Sequence, residues 1–149
     1  MGIKKAYLTW EDVNKLLDTL HKDITTWNKV SNQQIEMFSK VEFQHVCGIP
    51  RGGSLLAILY SHRYGLKYRP HPVVGLKEQL IIDDISDSGD TLNYWYGEYP
   101  ASKFATLHYK NTSSFKPDFF SKEIDKDYGW VVYPWEKEDS KTIQDYLDN

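Results

Sequence analysis

Cysteine is all but missing from this chain of 149 residues, which carries a single thiol at Cys47. No intrachain disulfide and no cysteine-built metal centre can form, and a reducing, cytoplasmic setting is expected. Cys47 lies in the apolar stretch Val46-Cys47-Gly48-Ile49 and reads as a small buried side chain, not as a nucleophile. A basic surplus is missing too: 18 Lys and Arg face 21 Asp and Glu, for a net charge of −3. With no cationic field to hold a phosphate backbone, nucleic-acid binding is not expected. Long apolar runs are absent. Leu55 to Tyr60 is among the longest, far below the roughly 20 residues that span a bilayer, so no membrane association is expected. Met-Gly-Ile-Lys-Lys lacks the apolar core of a signal peptide, and Ala6 stands where a myristoylation signal requires Ser or Thr. There is no repeat, no low-complexity linker, no Gly-x-Ser-x-Gly elbow and no Walker loop, and the five histidines show no metal-ligand spacing. A chain of this length is expected to form one domain over residues 1–149 with a proper core.

Aromatic residues, by contrast, are abundant at 15%, with Trp at five positions and Tyr at eleven. Thr9 to Asp12 reads as a capping start, followed by Val13, Leu16, Leu17 and Leu20 at helical spacing. A second helical piece is expected near Ser31, carrying Ile35 and Phe38. Phe43 to Ile49 reads as a buried strand, broken by Pro50-Arg51-Gly52-Gly53, and Ser54 to Tyr64 returns to helical periodicity. Tyr68 to Val74 carries Pro70 and Pro72 and reads as an edge strand or irregular segment. Gln79 to Asp83 predicts a central strand, Thr91 to Tyr99 a short helix and Lys103 to Tyr109 another strand. Phe115 to Asp127 reads as a polar loop, Trp130 to Tyr133 as a last short strand, and Ile143, Tyr146 and Leu147 as one stripe of a terminal helix. This alternation implies an α/β fold, a mostly parallel sheet flanked by helices, with ligand loops at the carboxyl ends of the strands. The turn at Pro50–Gly53 and the loop after Asp83 both follow strands, so both belong at the same sheet edge.

The most informative stretch is Leu80 to Leu92: Leu-Ile-Ile-Asp-Asp-Ile-Ser-Asp-Ser-Gly-Asp-Thr-Leu. An apolar strand ends in two adjacent carboxylates, Asp83 and Asp84, and a small polar loop then leads into a helix. Such a loop gathers backbone N–H groups and a helix N-terminus around an anion. Carboxylates beside a phosphate nest would repel it unless hydroxyls or a divalent cation lie between them. The ligand implied is a phosphorylated, polyhydroxylated molecule with magnesium. An Asp-Asp pair alone would be an ordinary acidic turn; the complete stretch is far more specific.

This motif closely resembles the signature of the type I phosphoribosyltransferases, which bind 5-phosphoribosyl-1-pyrophosphate. The resemblance, running from roughly Tyr7 to Glu136, implies that fold with a small terminal hood. It further implies that Asp83 and Asp84 hold the ribose hydroxyls and Mg2+, and that Ser88, Gly89, Asp90 and Thr91 enclose the 5′-phosphate. Asp90 departs mildly from the pattern and must point outward. Arg51, Gly52 and Gly53 take the place of the pyrophosphate loop, whose preceding peptide, here Pro50-Arg51, is often strained or cis in relatives. Asp87 falls where 6-oxopurine enzymes place an acid facing N7, giving a catalytic set of Asp83, Asp84 and Asp87. Lys110 falls where they place a lysine toward the C6 oxygen. Trp130-Val131-Val132-Tyr133-Pro134-Trp135-Glu136 is similar to the xanthine-guanine segment in which the first aromatic stacks on the base and the next main chain, here Val131, meets its edge. The implied activity is transfer of a phosphoribosyl group to guanine, xanthine or hypoxanthine, in a homo-oligomer (relatives are dimers or tetramers). One departure stands out: the long mobile loop of the family is cut to about ten residues, His71 to Leu80. Lys77, Glu78 or another subunit would have to cover the site. The shortened loop keeps two alternatives open, a non-catalytic sensor of the same ligands and a transferase for another acceptor base.

Overall fold

The computed structural model describes residues 4–34 and 43–137. Ile35, Phe38 and the C-terminal stripe at Ile143, Tyr146 and Leu147 lie outside the described residues.

In chain order the elements are β1 (Lys5–Tyr7), α1 (Trp10–Gln34), β2 (His45–Gly48), α2 (Gly52–Tyr64) and β3 (Lys67–Tyr68), then β4 (Gln79–Ser86), α3 (Asp90–Glu98), β5 (Lys103–Lys110), β6 (Phe119–Ile124) and β7 (Trp130–Val132). Five strands form an all-parallel sheet in the order β3-β2-β4-β5-β6, while β1 and β7 pair in parallel as a separate two-stranded unit. That small unit, built from both ends of the described chain, is the expected hood.

Helices cover both faces of the sheet, which is why β4 reads as an unbroken apolar run instead of alternating. Its residues nevertheless divide by face. Leu80 and Ile82 join Val13, Leu17, Leu20 and Ile24 of α1 and Leu56 and Tyr60 of α2. Ile81 turns the other way, to Leu92 of α3, Phe104 and Ile49. Each such buried aliphatic side chain contributes about 1.5–3 kcal/mol.

The capping reading holds to the atom. Asp12 N–H donates to Thr9 Oγ1 at 3.1 Å and Thr9 N–H donates to Asp12 Oδ2 at 2.8 Å. Two expectations are corrected. The helix does not stop for a second piece at Ser31 but runs unbroken from Trp10 to Gln34. Thr25 and Thr26, poor helix formers, return their hydroxyls to the carbonyls of His21 and Lys22 at 2.8 and 2.9 Å, which keeps them inside the helix. The stretch read as a polar loop contains β6, an edge strand paired with β5 on one side only. Only Phe119 and Ile124 of β6 are buried, which explains its weak apolar signal.

Of the proline-containing stretch only Tyr68 is in a strand, the two-residue β3 at the other edge, and 69–74 is irregular. The connection to β4 is as short as expected, and it is held in place. Gln79, fully buried at the head of β4, accepts Val73 N–H at 2.9 Å and donates to Ser102 Oγ at 2.8 Å. Lys77 and Glu78 lie at the start of β4, the sheet edge opposite the strand carboxyl ends, and cannot stand in for a closing loop. No helix among the described residues is long and apolar enough to cross a membrane.

Candidate active site

In the main sheet β2 neighbours both β3 and β4, so the chain reverses its direction of travel across the sheet at β2 and β4. Open α/β sheets bind ligands outside the carboxyl ends of the strands at such a switch point. The two expected loops open there on a cavity of about 1000 Å³.

On the β2 side, Pro50 and Arg51 form the turn, joined by a cis peptide bond, and α2 begins at Gly52. Arg51 and Gly52 line the cavity; Gly53 does not. A Cβ on Gly53 would stand 2.4 Å from the Ile82 carbonyl oxygen, so this glycine lets α2 close against β4. The geometry thus gives Gly53 a packing role.

On the β4 side, Asp83 and Asp84 lie together at the floor. Asp84 N–H donates to Asp83 Oδ1 at 2.8 Å. Burial, and then repulsion from Asp84, hold the Asp83 carboxyl well above the usual carboxylate range. Burial and the neighbouring Glu136 carboxylate push Asp84 up to about 6. Two carboxylates raised by desolvation and by a neighbouring carboxylate suit a hard divalent cation, which favours their charged forms. Among the described residues no group of three metal-binding side chains exists. A cation here would therefore draw most of its oxygens from ligand and water, as magnesium commonly does.

Asp87, Ser88, Gly89 and Thr91 line the cavity in turn, while Asp90 is exposed and not part of the lining. Gly89 caps α3 with φ of 95°, the left-handed region open to glycine. The loop after β5 clasps this phosphate-like turn. Ser114 N–H and Ser114 Oγ both donate to the Ser88 carbonyl at 2.9 Å. Ser86 Oγ donates to the Phe115 carbonyl at 2.7 Å.

Lys110, the last residue of β5, reaches across to Asp87 with Nζ 3.1 Å from Oδ1. Trp130, 40% exposed, and the buried Val131 bring the hood to the same cavity. All base-side residues expected from sequence are thus brought together.

Sequence reasoning missed a second layer. Tyr133, Trp135 and Glu136 also line the cavity. Tyr133 is buried between carboxylates, which holds its phenol protonated, and its O–H donates to the Asp84 carbonyl at 3.0 Å. That leaves His108 Nδ1–H to donate to the Tyr133 oxygen at 2.8 Å. Burial, with Lys122 nearby, lowers His108 to about 4, so it stays neutral. The one available signal was the clustering of aromatics around Pro134.

No model of an established protein family matches the chain. A xanthine-guanine phosphoribosyltransferase of Cereibacter sphaeroides is 37% identical over 114 aligned residues, covering 61% of this chain and 68% of that protein. Among solved structures, a purine phosphoribosyltransferase from Pyrococcus horikoshii superposes with a TM-score of 0.69 at 24% identity, over 93% of this chain and 98% of that one. The Helicobacter pylori xanthine-guanine-hypoxanthine phosphoribosyltransferase gives a TM-score of 0.60 at 20% identity, over 90% and 93%.

Proposed function

The chain belongs to the type I phosphoribosyltransferases, on their xanthine-guanine side, and from that premise we propose that it transfers the phosphoribosyl group of 5-phosphoribosyl-1-pyrophosphate to a 6-oxopurine. The purine N9 lone pair forms the new bond to C1′ of the sugar, and the C1′–oxygen bond breaks with its electron pair leaving on pyrophosphate. Asp83 and Asp84 accept hydrogen bonds from the ribose hydroxyls and would hold Mg2+, whose chemistry when bound would be to supply positive charge beside the pyrophosphate. The amides and hydroxyls from Ser88 to Thr91 take the 5′-phosphate, while Arg51 and the Gly52 main chain take the pyrophosphate. Orientation and charge stabilisation carry the rate, without a covalent enzyme intermediate.

The observation that carries the base assignment is the Lys110–Asp87 pair. A donor and an acceptor 3.1 Å apart at the head of the cavity match the adjacent O6 and N7 of a 6-oxopurine. Lys110 donates to O6 and Asp87 takes the proton from N7 as N9 reacts. Trp130 supplies a stacking face worth about 1–3 kcal/mol, and Val131 offers its main chain to the base edge. In keeping with this reading, the protein works in the cytoplasm as a homo-oligomer.

Nucleotide formation followed by absorbance, with guanine, xanthine, hypoxanthine and orotate offered separately, tests the assignment. The oxopurines should react and orotate should not. Lys110→Ala should cut kcat/KM for the oxopurines by about 10- to 100-fold, the loss of one charge-assisted hydrogen bond. Unchanged guanine kinetics in that variant would remove the base assignment. The held, short β3–β4 connection favours a second reading, a sensor that binds the same ligands without turnover. Binding of purines and the activated sugar with no product formed would establish it.

A further inference from the structure

We propose that Trp135 is a further substrate-binding residue, its indole N–H donating a hydrogen bond to the pyrophosphate of the activated sugar. This rests on the phosphoribosyltransferase reading and adds to it a donor from outside the two sheet-edge loops.

The geometry begins at Gly52. A Cβ there would stand 2.4 Å from Asp84 Oδ2 and 3.4 Å from Trp135 Nε1. The missing side chain therefore lets the Asp84 carboxylate close on Gly52, with the indole nitrogen beside the same spot. Gly52 follows Arg51 in the turn that the pyrophosphate would occupy, so the indole nitrogen stands at that end of the ligand. Among the described residues the indole N–H forms no hydrogen bond to a protein acceptor, and Trp135 lines the cavity.

The ring is held firmly. It stacks on Tyr133 with centroids 4.9 Å apart and planes 5° from parallel, and it meets Trp10 at 5.8 Å. Tyr133 is itself pinned by His108 and the Asp84 carbonyl. The turn around Pro134 is closed at both ends. Glu136 N–H donates to the Tyr133 carbonyl at 2.9 Å, and Tyr133 N–H donates to Glu136 Oε1 at 2.9 Å. A donor fixed in this way loses little freedom on binding.

Its chemistry suits the place. An indole N–H is a donor only, and it is uncharged. It can serve a phosphate oxygen beside Asp84 without forming an ion pair that would neutralise the carboxylate and weaken its hold on a cation. A lysine in the same position would form that ion pair instead.

Calorimetric titration of magnesium pyrophosphate, together with KM for phosphoribosyl pyrophosphate, tests the proposal in Trp135→Phe and Trp135→His. The phenyl ring keeps the stack on Tyr133 and loses the donor; the imidazole restores one. Trp135→Phe should weaken pyrophosphate binding and raise KM for the activated sugar by roughly tenfold. Affinity for a purine mononucleotide, which lacks the pyrophosphate, should not change, and Trp135→His should recover part of the loss. Undiminished pyrophosphate affinity in Trp135→Phe would overturn the proposal. So would an equal loss for the mononucleotide, which would assign the ring to the ribose or to packing. If the unaltered chain bound neither magnesium pyrophosphate nor the activated sugar, the phosphoribosyltransferase reading would fall first and this inference with it.

Discussion

At the residue scale, the candidate site places charge where folding alone would not. Burial raises both Asp83 and Asp84, with Asp84 adding to the first and Glu136 to the second, a cost to the metal-free protein that a bound cation relieves. Asp84→Asn should therefore raise Tm by a few degrees at neutral pH while lowering kcat/KM by about 100-fold or more. Thermal melts and initial rates on one preparation check both signs. His108 gives an acid limb of known sign. Its folded value of about 4 lies below the ordinary histidine value, so between the two the unfolded chain binds more protons. The contribution is whole above about pH 6.5 and is lost as pH falls toward 4, amounting to roughly 3 kcal/mol. His108→Gln should flatten that limb in a plot of Tm against pH; an unchanged slope would assign it to other groups. The residues legible beforehand were those tied to a motif, Arg51 and Asp83 to Lys110. Tyr133 and Trp135 were not, because their roles come from a stack and a turn, which leave no spacing signal.

At the scale of elements, the β4–loop–α3 unit was readable because three local rules agree there: an apolar strand, a glycine at the helix cap and a polar loop between them. Gly89→Ala would place a Cβ 2.5 Å from Ser114 Oγ and 2.7 Å from Phe115 N at a φ of 95°. It should cost about 1–3 kcal/mol in a denaturant melt and raise KM for the activated sugar. Stability and KM both unchanged would show that the clasp around Ser88 does not shape the phosphate turn. Thr9→Ala should lose about 1 kcal/mol, as the reciprocal bonds with Asp12 imply. The β6 strand was opaque for the opposite reason: as an edge strand it buries only its ends, and Lys122 and Glu123 read as solvated loop. The full span of α1 was hidden by Thr25 and Thr26, whose hydroxyl bonds to the preceding turn are made only once the helix exists.

At the scale of the molecule, sheet order is what assembles the site. Parallel strands put every loop after a strand on one edge, and the reversal at β2 and β4 opens the crevice between the Arg51 turn and the Asp84 loop. Alternating strands and helices already implied the shared edge, but not the strand order. How the hood from both chain ends covers that crevice depends on the pairing of β1 with β7, separated by most of the chain. No local pattern announces such a pairing. The measurement that bears most directly on the whole is a calorimetric titration of phosphoribosyl pyrophosphate into the unaltered chain and into Asp84→Asn, each with and without magnesium. Tight binding that needs the metal and is lost in Asp84→Asn is the expected result. Absence of heat in every arm, or binding indifferent to both magnesium and Asp84, would contradict it.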